Sequence, residues 1–301
     1  MMDEGWTIQR VIDWSVSFLR EKKIDSARLD VELLLSHTLS CRRIDLYTRF
    51  DMRLSESERG SFRDLLRRRY AYEPVAYILG SREFYGREFA VRDGVLIPRP
   101  ETELLIDQTR PFLPDKSRVL DIGSGSGCIA VTLAAEAPAA SVTALDRSST
   151  AVALTRENAA RHNIPNISVV EEDLAAYDGG PFDLIVSNPP YIAPGEYDTL
   201  MPDVRGYEPR AALVADDNGY AVYRLLARRL PGLLAADGTL LLECGAGMAP
   251  TVADLLGPFF RNTSRHVDLH GIERVVTFSG YDHAKTPDTN TVPVSGAAPG
   301  H

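Results

Sequence analysis

Cysteine is scarce in this chain: three residues in 301, Cys41, Cys128 and Cys244, far apart and odd in number. They form no CxxC pair and no metal-ligand spacing, which excludes a disulfide scaffold and a zinc module. The six histidines show no HExxH or similar spacing, and no metal is expected. Long apolar runs are missing as well. No stretch approaches the roughly 20 residues that span a bilayer. The first 23 residues carry Asp3, Glu4, Arg10 and Asp13 among their apolar positions, which breaks the core of a secretory signal. A reducing cytoplasm is the expected location, and no membrane partner is expected. Excess basic charge is also absent. The formal net charge is -9, and the imbalance falls late: residues 1–100 hold 18 Lys+Arg against 16 Asp+Glu, the remainder 15 against 26. An acidic body does not suit stable binding of naked nucleic acid, which needs a clustered basic surface. The 44% hydrophobic content is enough to bury a sizeable core in two domains.

The first seventy or so residues read as helical. Ile8, Val11, Ile12, Val16 and Leu19 share one helix face, and Leu29, Leu33 and Leu34 supply the stripe of a second helix capped by Asp25 or Ser26. Ser55 begins another, with Glu56 and Glu58 in the first turn where the helix dipole favours acids. Arg59, Arg63 and Arg67 recur every four residues along it, and Arg68 and Arg69 extend the charge. Such a row is either a solvated face or a docking surface for an acidic protein. Residues 73–95 mix Tyr77, Ile78, Phe84, Tyr85 and Phe89 with Gly80, Gly86 and Gly94, the composition of one or two β-hairpins.

From Arg118 onward strands alternate with helices, the pattern of a doubly wound, mostly parallel α/β sheet. Strands are expected at 119–122, 142–145, 167–170, 182–186 and 239–242, with Val267 and 275–278 completing the sheet. Residues 281–301, with Pro287, Pro293 and Pro299 and no apolar pattern, read as a disordered tail.

Asp121, Ile122, Gly123, Ser124, Gly125, Ser126 and Gly127 place a glycine-rich turn between the first strand and its helix, where positive φ and close backbone approach to a ligand are available. After the second strand comes Asp146, positioned to accept hydrogen bonds from two ribose hydroxyls. A nicotinamide site prefers GxGxxG, but the residue after Gly127 is Cys128 and the spacing is GxGxG behind an acid. S-adenosylmethionine fits better: it has no pyrophosphate to cradle, and Asp121 would sit near its cationic methionine end. Asp173 and Leu174, after the third strand, would lie near the adenine, although Asp173 serves equally well as a helix cap.

The fourth strand ends in Asn188, Pro189, Pro190 and Tyr191. Two prolines fix φ near about -65° and hold Asn188 on a stiff corner at the carboxyl end of the strand, where open α/β sheets keep their ligands. The Asn188 side-chain oxygen and the Pro189 carbonyl can each accept one hydrogen of a planar NH2 group, and Tyr191 offers a flat stacking face. Amides and exocyclic base amines both qualify. The pieces combine into a methyl-transfer centre that works by alignment and electrostatics.

At the level of whole segments the chain resembles the protein-(glutamine) methyltransferases that modify peptide chain release factors. EPVAYILGSREFYG (73–86), LIPRPETE (96–103), DIGSGSG (121–127), SNPPYI (187–192) and YEPRAAL (207–213) carry the resemblance, with IDSARLDVELLL (24–35) and HGIERVV (270–276). It implies a helical substrate-recognition domain (1–72), a β-hairpin linker (73–95) and a class I S-adenosylmethionine-dependent methyltransferase domain with a seven-stranded sheet (96–280). It also implies class 1 release factors as partners and the Gly-Gly-Gln glutamine as acceptor; a monomer is expected. An amino-methyltransferase acting on a ribosomal-protein glutamine or a nucleic acid base is the alternative. By position, Gly123, Ser124, Gly125, Ser126, Gly127 and Asp146 would hold the cofactor, Asn188 to Tyr191 the glutamine, and Asn188 both. One departure falls after Glu243: Cys244, Gly245, Ala246, Gly247 and Met248 stand where the family often has isoleucine, glycine and then a glutamine.

Overall fold

The computed structural model describes residues 5–285, which fall into two compact units: the chain up to Ser81 together with Met201–Tyr207, and Arg82–Leu200 with the chain from Glu208 onward. In the first unit, α1 (Ile8–Arg20) starts at Thr7, whose hydroxyl accepts from the Arg10 amide, and buries the five apolar residues expected of it. α2 (Ala27–Thr38) turns differently from expectation. Ala27, Val31, Leu34 and Leu35 are buried, whereas Leu29 is 43% exposed. The Ser26 hydroxyl donates to Asp30 at 2.9 Å and forms no cap, which orients Asp30 inward. α3 (Arg43–Thr48) follows, then α4 (Glu56–Tyr70), which opens with a reciprocal Ser55–Glu58 capping box.

Arg69 is not part of the solvated arginine row. Its side chain is buried, with Nε donating to Asp30 at 2.7 Å and Nη2 to Asp203 at 3.2 Å. Arg68 is also engaged, donating to Glu73 at 2.8 Å. α5 (Val75–Leu79) is a helix where a hairpin was expected. Pro74 presets its first turn, Gly80 at φ 73° ends it, and Ile78 packs into the core of the helical unit. Five apolar residues carry too little periodicity to separate a short helix from a strand.

In the second unit the hairpin is confined to β1 (Ser81–Phe84) and β2 (Arg87–Ala90), joined by Tyr85 and Gly86, both at positive φ, as a two-residue hairpin turn requires. There follow α6 (Glu103–Thr109), β3 (Arg118–Ile122), α7 (Cys128–Glu136), β4 (Ser141–Asp146), α8 (Ser149–Arg161), β5 (Ile167–Glu171) and β6 (Phe182–Ser187). The short helix Pro202–Tyr207, counted as α9, belongs to the first unit. Then come α10 (Arg210–Leu213), α11 (Ala221–Leu233), β7 (Leu234–Glu243), α12 (Ala249–Leu256), β8 (Phe260–Val267) and β9 (Glu273–Tyr281).

The seven strands from β3 to β9 stand in the order β5-β4-β3-β6-β7-β9-β8, parallel except for β9, which runs against both neighbours. This is the class I methyltransferase arrangement. Strand alternation divides the core in two: Val119, Leu184 and Leu241 pack with α6 and α7 on one face, and Leu120, Ile185 and Leu240 with α11 and α12 on the other. The order reverses between β3 and β6, so the crevice lies at the carboxyl ends of these strands. β8 is longer than the sequence suggested. It is an edge strand carrying Arg261, Asn262, Thr263, Ser264 and Arg265, all exposed, so it has no apolar signal to read. Tyr281, expected to open the tail, is buried at the end of β9, and residues 286–301 lie outside the described residues. Among the described residues no helix is long and apolar enough to cross a membrane.

Candidate active site

A cavity of about 430 Å³ opens at the switch point and is lined from the carboxyl ends of β3, β4, β5 and β6. That volume is in the ordinary range for small-molecule sites, about 300–1,000 Å³. The glycine loop forms one wall, with Gly123, Gly125 and Gly127 at φ 75°, 56° and 79°. Gly127 is doubly constrained, since a Cβ there would stand 2.8 Å from the Thr155 methyl and 3.1 Å from its Cα. The loop is held from behind. Thr155 Oγ1 donates to the Gly125 carbonyl at 3.1 Å and lies 3.3 Å from the Ser124 hydroxyl. The Asn158 amide donates to the Ser126 carbonyl at 2.8 Å while exchanging two hydrogen bonds with the backbone of Ala90 at the end of β2.

Asp146 ends β4 and lines the cavity. Its Oδ2 accepts from the Gly125 amide at 2.9 Å and its Oδ1 from the Ser148 amide at 2.8 Å, which fixes the carboxylate and leaves each oxygen a lone pair for a ribose hydroxyl. Leu174 adds an apolar wall packed into the core, and Asp173 lines the cavity while accepting from the Ala175 amide at 2.8 Å, so it caps a turn as well. The sequence placed Asp121 beside the ligand, but the structure buries it completely beneath the loop, outside the cavity lining. One oxygen accepts from the Ala130 amide at 3.0 Å and the other has no partner. Burial pushes its carboxyl up to about 7, and the Asp146 charge adds to the rise. Gly127 is likewise structural: it turns the chain into α7 without lining the cavity.

Asn188, Pro189 and Pro190 form the opposite wall. The Asn188 Nδ2 donates to Thr102 Oγ1 at 3.0 Å, leaving Oδ1 as the free acceptor. The corner is strapped downstream, where the Ile192 amide donates to Leu213 and the Ala215 amide to Ile192, at 2.9 and 3.0 Å. Tyr191 does not line the cavity. It packs against the core beside Gly245 and Met248, and burial raises its hydroxyl pKa well above the usual phenol range. Met248 thus fills apolar space next to Tyr191.

Two residues that support this site were not singled out from the sequence. Glu208, buried, accepts from the Ile97 amide at 3.1 Å and pairs with Arg99, joining the YEPR and IPRP segments into one wall. Thr102, buried, carries the Asn188 contact. The signal was present in the conjunction of IPRPETE with YEPR and the Asn188 corner, but no spacing rule joins residues 86 and 111 positions apart. Cys128 and Cys244 are buried, which pushes both thiols up to about 12 and away from the reactive thiolate.

The sheet order, the glycine loop with its ribose-ready carboxylate and the Asn-Pro-Pro corner in one cavity define an S-adenosylmethionine-dependent methyltransferase. Family models agree: "PrmC N-terminal domain" matches residues 10–80 and "Methyltransferase small domain" residues 100–202. Release factor glutamine methyltransferases from Geobacter sulfurreducens and Chlorobaculum tepidum are 44% and 42% identical, over 91% and 90% of this chain and 96% and 97% of theirs. A solved methyltransferase from Pyrococcus furiosus is 17% identical, with a TM-score of 0.48 over 66% of this chain and 91% of its own. The chain belongs to the release factor glutamine methyltransferase family.

Proposed function

We propose that this protein transfers the methyl group of S-adenosylmethionine to the side-chain amide nitrogen of the Gly-Gly-Gln glutamine of class 1 release factors, and so acts in the cytoplasm on translation termination. The observation that carries the chemistry is the Asn188 amide, held by Thr102 with its oxygen free at the strand end that shares a cavity with the glycine loop. The relatives' common name supports the acceptor. The alternative acceptors, a ribosomal-protein glutamine or a nucleic acid base, are not favoured.

The cofactor supplies a sulfonium-borne methyl group, already electrophilic. Gly123, Ser124, Gly125 and Ser126 would hold its amino-acid end, Asp146 would accept from its ribose hydroxyls, and Leu174 and Asp173 would take the adenine. Asn188 Oδ1 and the Pro189 carbonyl each accept one N–H of the glutamine amide, fixing the nitrogen for in-line attack. Pro190 keeps that corner rigid, and Tyr191 backs it. Both acceptors would stabilise the positive charge that the nitrogen gains on taking the methyl group, with S-adenosylhomocysteine as the leaving group and the amide proton passing to solvent. Incubation with a purified release factor and cofactor is expected to add one methyl mass to the Gly-Gly-Gln peptide. An unmodified peptide, with the cofactor shown to bind, would remove the acceptor assignment.

Asp146→Ala is expected to weaken cofactor affinity by ~10–100-fold, the loss of two charged hydrogen bonds offset in part by water. Calorimetric titration with S-adenosylhomocysteine checks this, and an unchanged affinity would move the ribose contact to another residue.

A further inference from the structure

We infer that Arg99 receives the α-carboxylate at the methionine end of the cofactor, and that buried Glu208 holds the guanidinium in place for it. The inference rests on the cofactor proposed above and adds the contact that its one carboxylate needs. S-adenosylmethionine carries that carboxylate beside an ammonium and a sulfonium, so its site must supply an anion-binding group as well as acids.

The glycine loop does not supply that group. Four of the five amides from Gly123 to Gly127 are already donated inside the protein: those of Gly123 and Ser124 to the Leu145 carbonyl, that of Gly125 to Asp146 and that of Gly127 to the Ser124 carbonyl. The positive end of α7 is taken as well, by Asp121, which accepts from the Ala130 amide. A carboxylate held by the loop alone would meet few free donors and a buried acid beneath them. Its partner has to come from another wall. Among the described residues two cations line the cavity, Arg99 and Arg147. Arg147 follows Asp146, and its Nη1 lies 3.8 Å from Asp173, so it stands at the end proposed for ribose and adenine. Along the order β5-β4-β3-β6 that is the β5 side. Arg99 stands three residues before Thr102, which meets Asn188 on the β6 side.

Arg99 is fixed before any ligand arrives. Pro100 after it keeps its backbone extended, at φ -100° and ψ 141°. Its Nη2 donates to Glu208 Oε1, while Glu208 Oε2 accepts from the Ile97 amide at 3.1 Å. The Glu208 side chain is 1% exposed and that of Arg99 31%, so both oxygens of the acid are used inside the wall and the guanidinium stays open to the cavity it lines. A guanidinium has five N–H donors in a rigid fork, and Glu208 takes one of them. Those left can bind a second carboxylate, and a group already held loses little freedom in doing so.

The test compares S-adenosylhomocysteine with its decarboxylated analogue, in which hydrogen replaces the carboxylate, by calorimetric titration of the full chain. The wild-type protein is expected to bind the first ~10–100-fold more tightly. Arg99→Met keeps an apolar stem without the charge. It should lose ~10–100-fold for S-adenosylhomocysteine and bind the decarboxylated analogue within about 3-fold of the wild-type affinity. A pair that only braced the IPRP and YEPR segments would weaken both ligands alike, so equal losses overturn the inference. Equal wild-type affinities for the two compounds, or a preference that survives in Arg99→Met, overturn it too. If the preference survives while the release-factor KM rises, Arg99 belongs to the acceptor side. Arg99→Met leaves Glu208 buried without its cation, so Arg99→Met combined with Glu208→Gln is measured beside it. Should the single variant not fold, the double variant decides by the same comparison. Binding of neither compound by the wild-type protein would instead remove the cofactor assignment, and this contact with it.

Discussion

Asn188→Ala is expected to lower turnover by ~10²–10³-fold at saturating cofactor and acceptor while changing cofactor affinity by less than about 3-fold. The argument is differential. The contacts proposed for the cofactor come mainly from the glycine loop and Asp146, to which Asn188 makes no hydrogen bond. In the role proposed for it, the amide oxygen acts on the nitrogen that becomes positive as the methyl arrives, an interaction stronger in the transition state than before it. Truncation also leaves Thr102 without its donor. Kinetics against a release factor, paired with calorimetry of cofactor binding, separate the two effects. A collapse of cofactor affinity with surviving turnover would make Asn188 a cofactor ligand and not the group that orients the nucleophile.

Arg69→Ala is expected to destabilise the helical unit by ~3–5 kcal/mol, because it strands Asp30 in the core and frees Asp203. Nearby in sequence, Arg67 is 69% exposed and, among the described residues, pairs with Asp64 alone at 3.6 Å, so Arg67→Ala should change stability by no more than about 0.5 kcal/mol. The measurement is unusually selective. Both tryptophans, Trp6 and Trp14, belong to the helical unit, so tryptophan fluorescence during urea unfolding reports that unit and not the sheet. Equal midpoints for the two variants would show that the buried guanidinium contributes nothing beyond an exposed one.

The alternating strands and helices were legible because a doubly wound sheet repeats one pattern, and β3, β4 and β6 are buried on both faces and read as apolar runs. The glycine loop, Asp146 and the Asn188 corner were legible because local geometry demands those residue types. Other features depend on contacts distant in sequence and were not. Arg69 looked like one of a row of surface charges, and only Asp30 and Asp203, 39 and 134 positions away, make it a core residue. Asp121 stood in the right motif for a ligand contact, yet side-chain direction on β3 points it under the loop, where it holds the start of α7. Thr102 is an ordinary residue individually, and its meaning comes from meeting Asn188.

The Asn158 side chain joins three pieces of chain at once: α8 that carries it, the end of β2 at Ala90 and the glycine loop at Ser126. It does not line the cavity, and still every register error in the hairpin would be transmitted through this one amide to the loop proposed to meet the cofactor. Selection on cofactor binding therefore reaches back to a hairpin that never touches it. A survey of tolerated substitutions would find position 158 as intolerant as the glycines, for reasons invisible from the cavity.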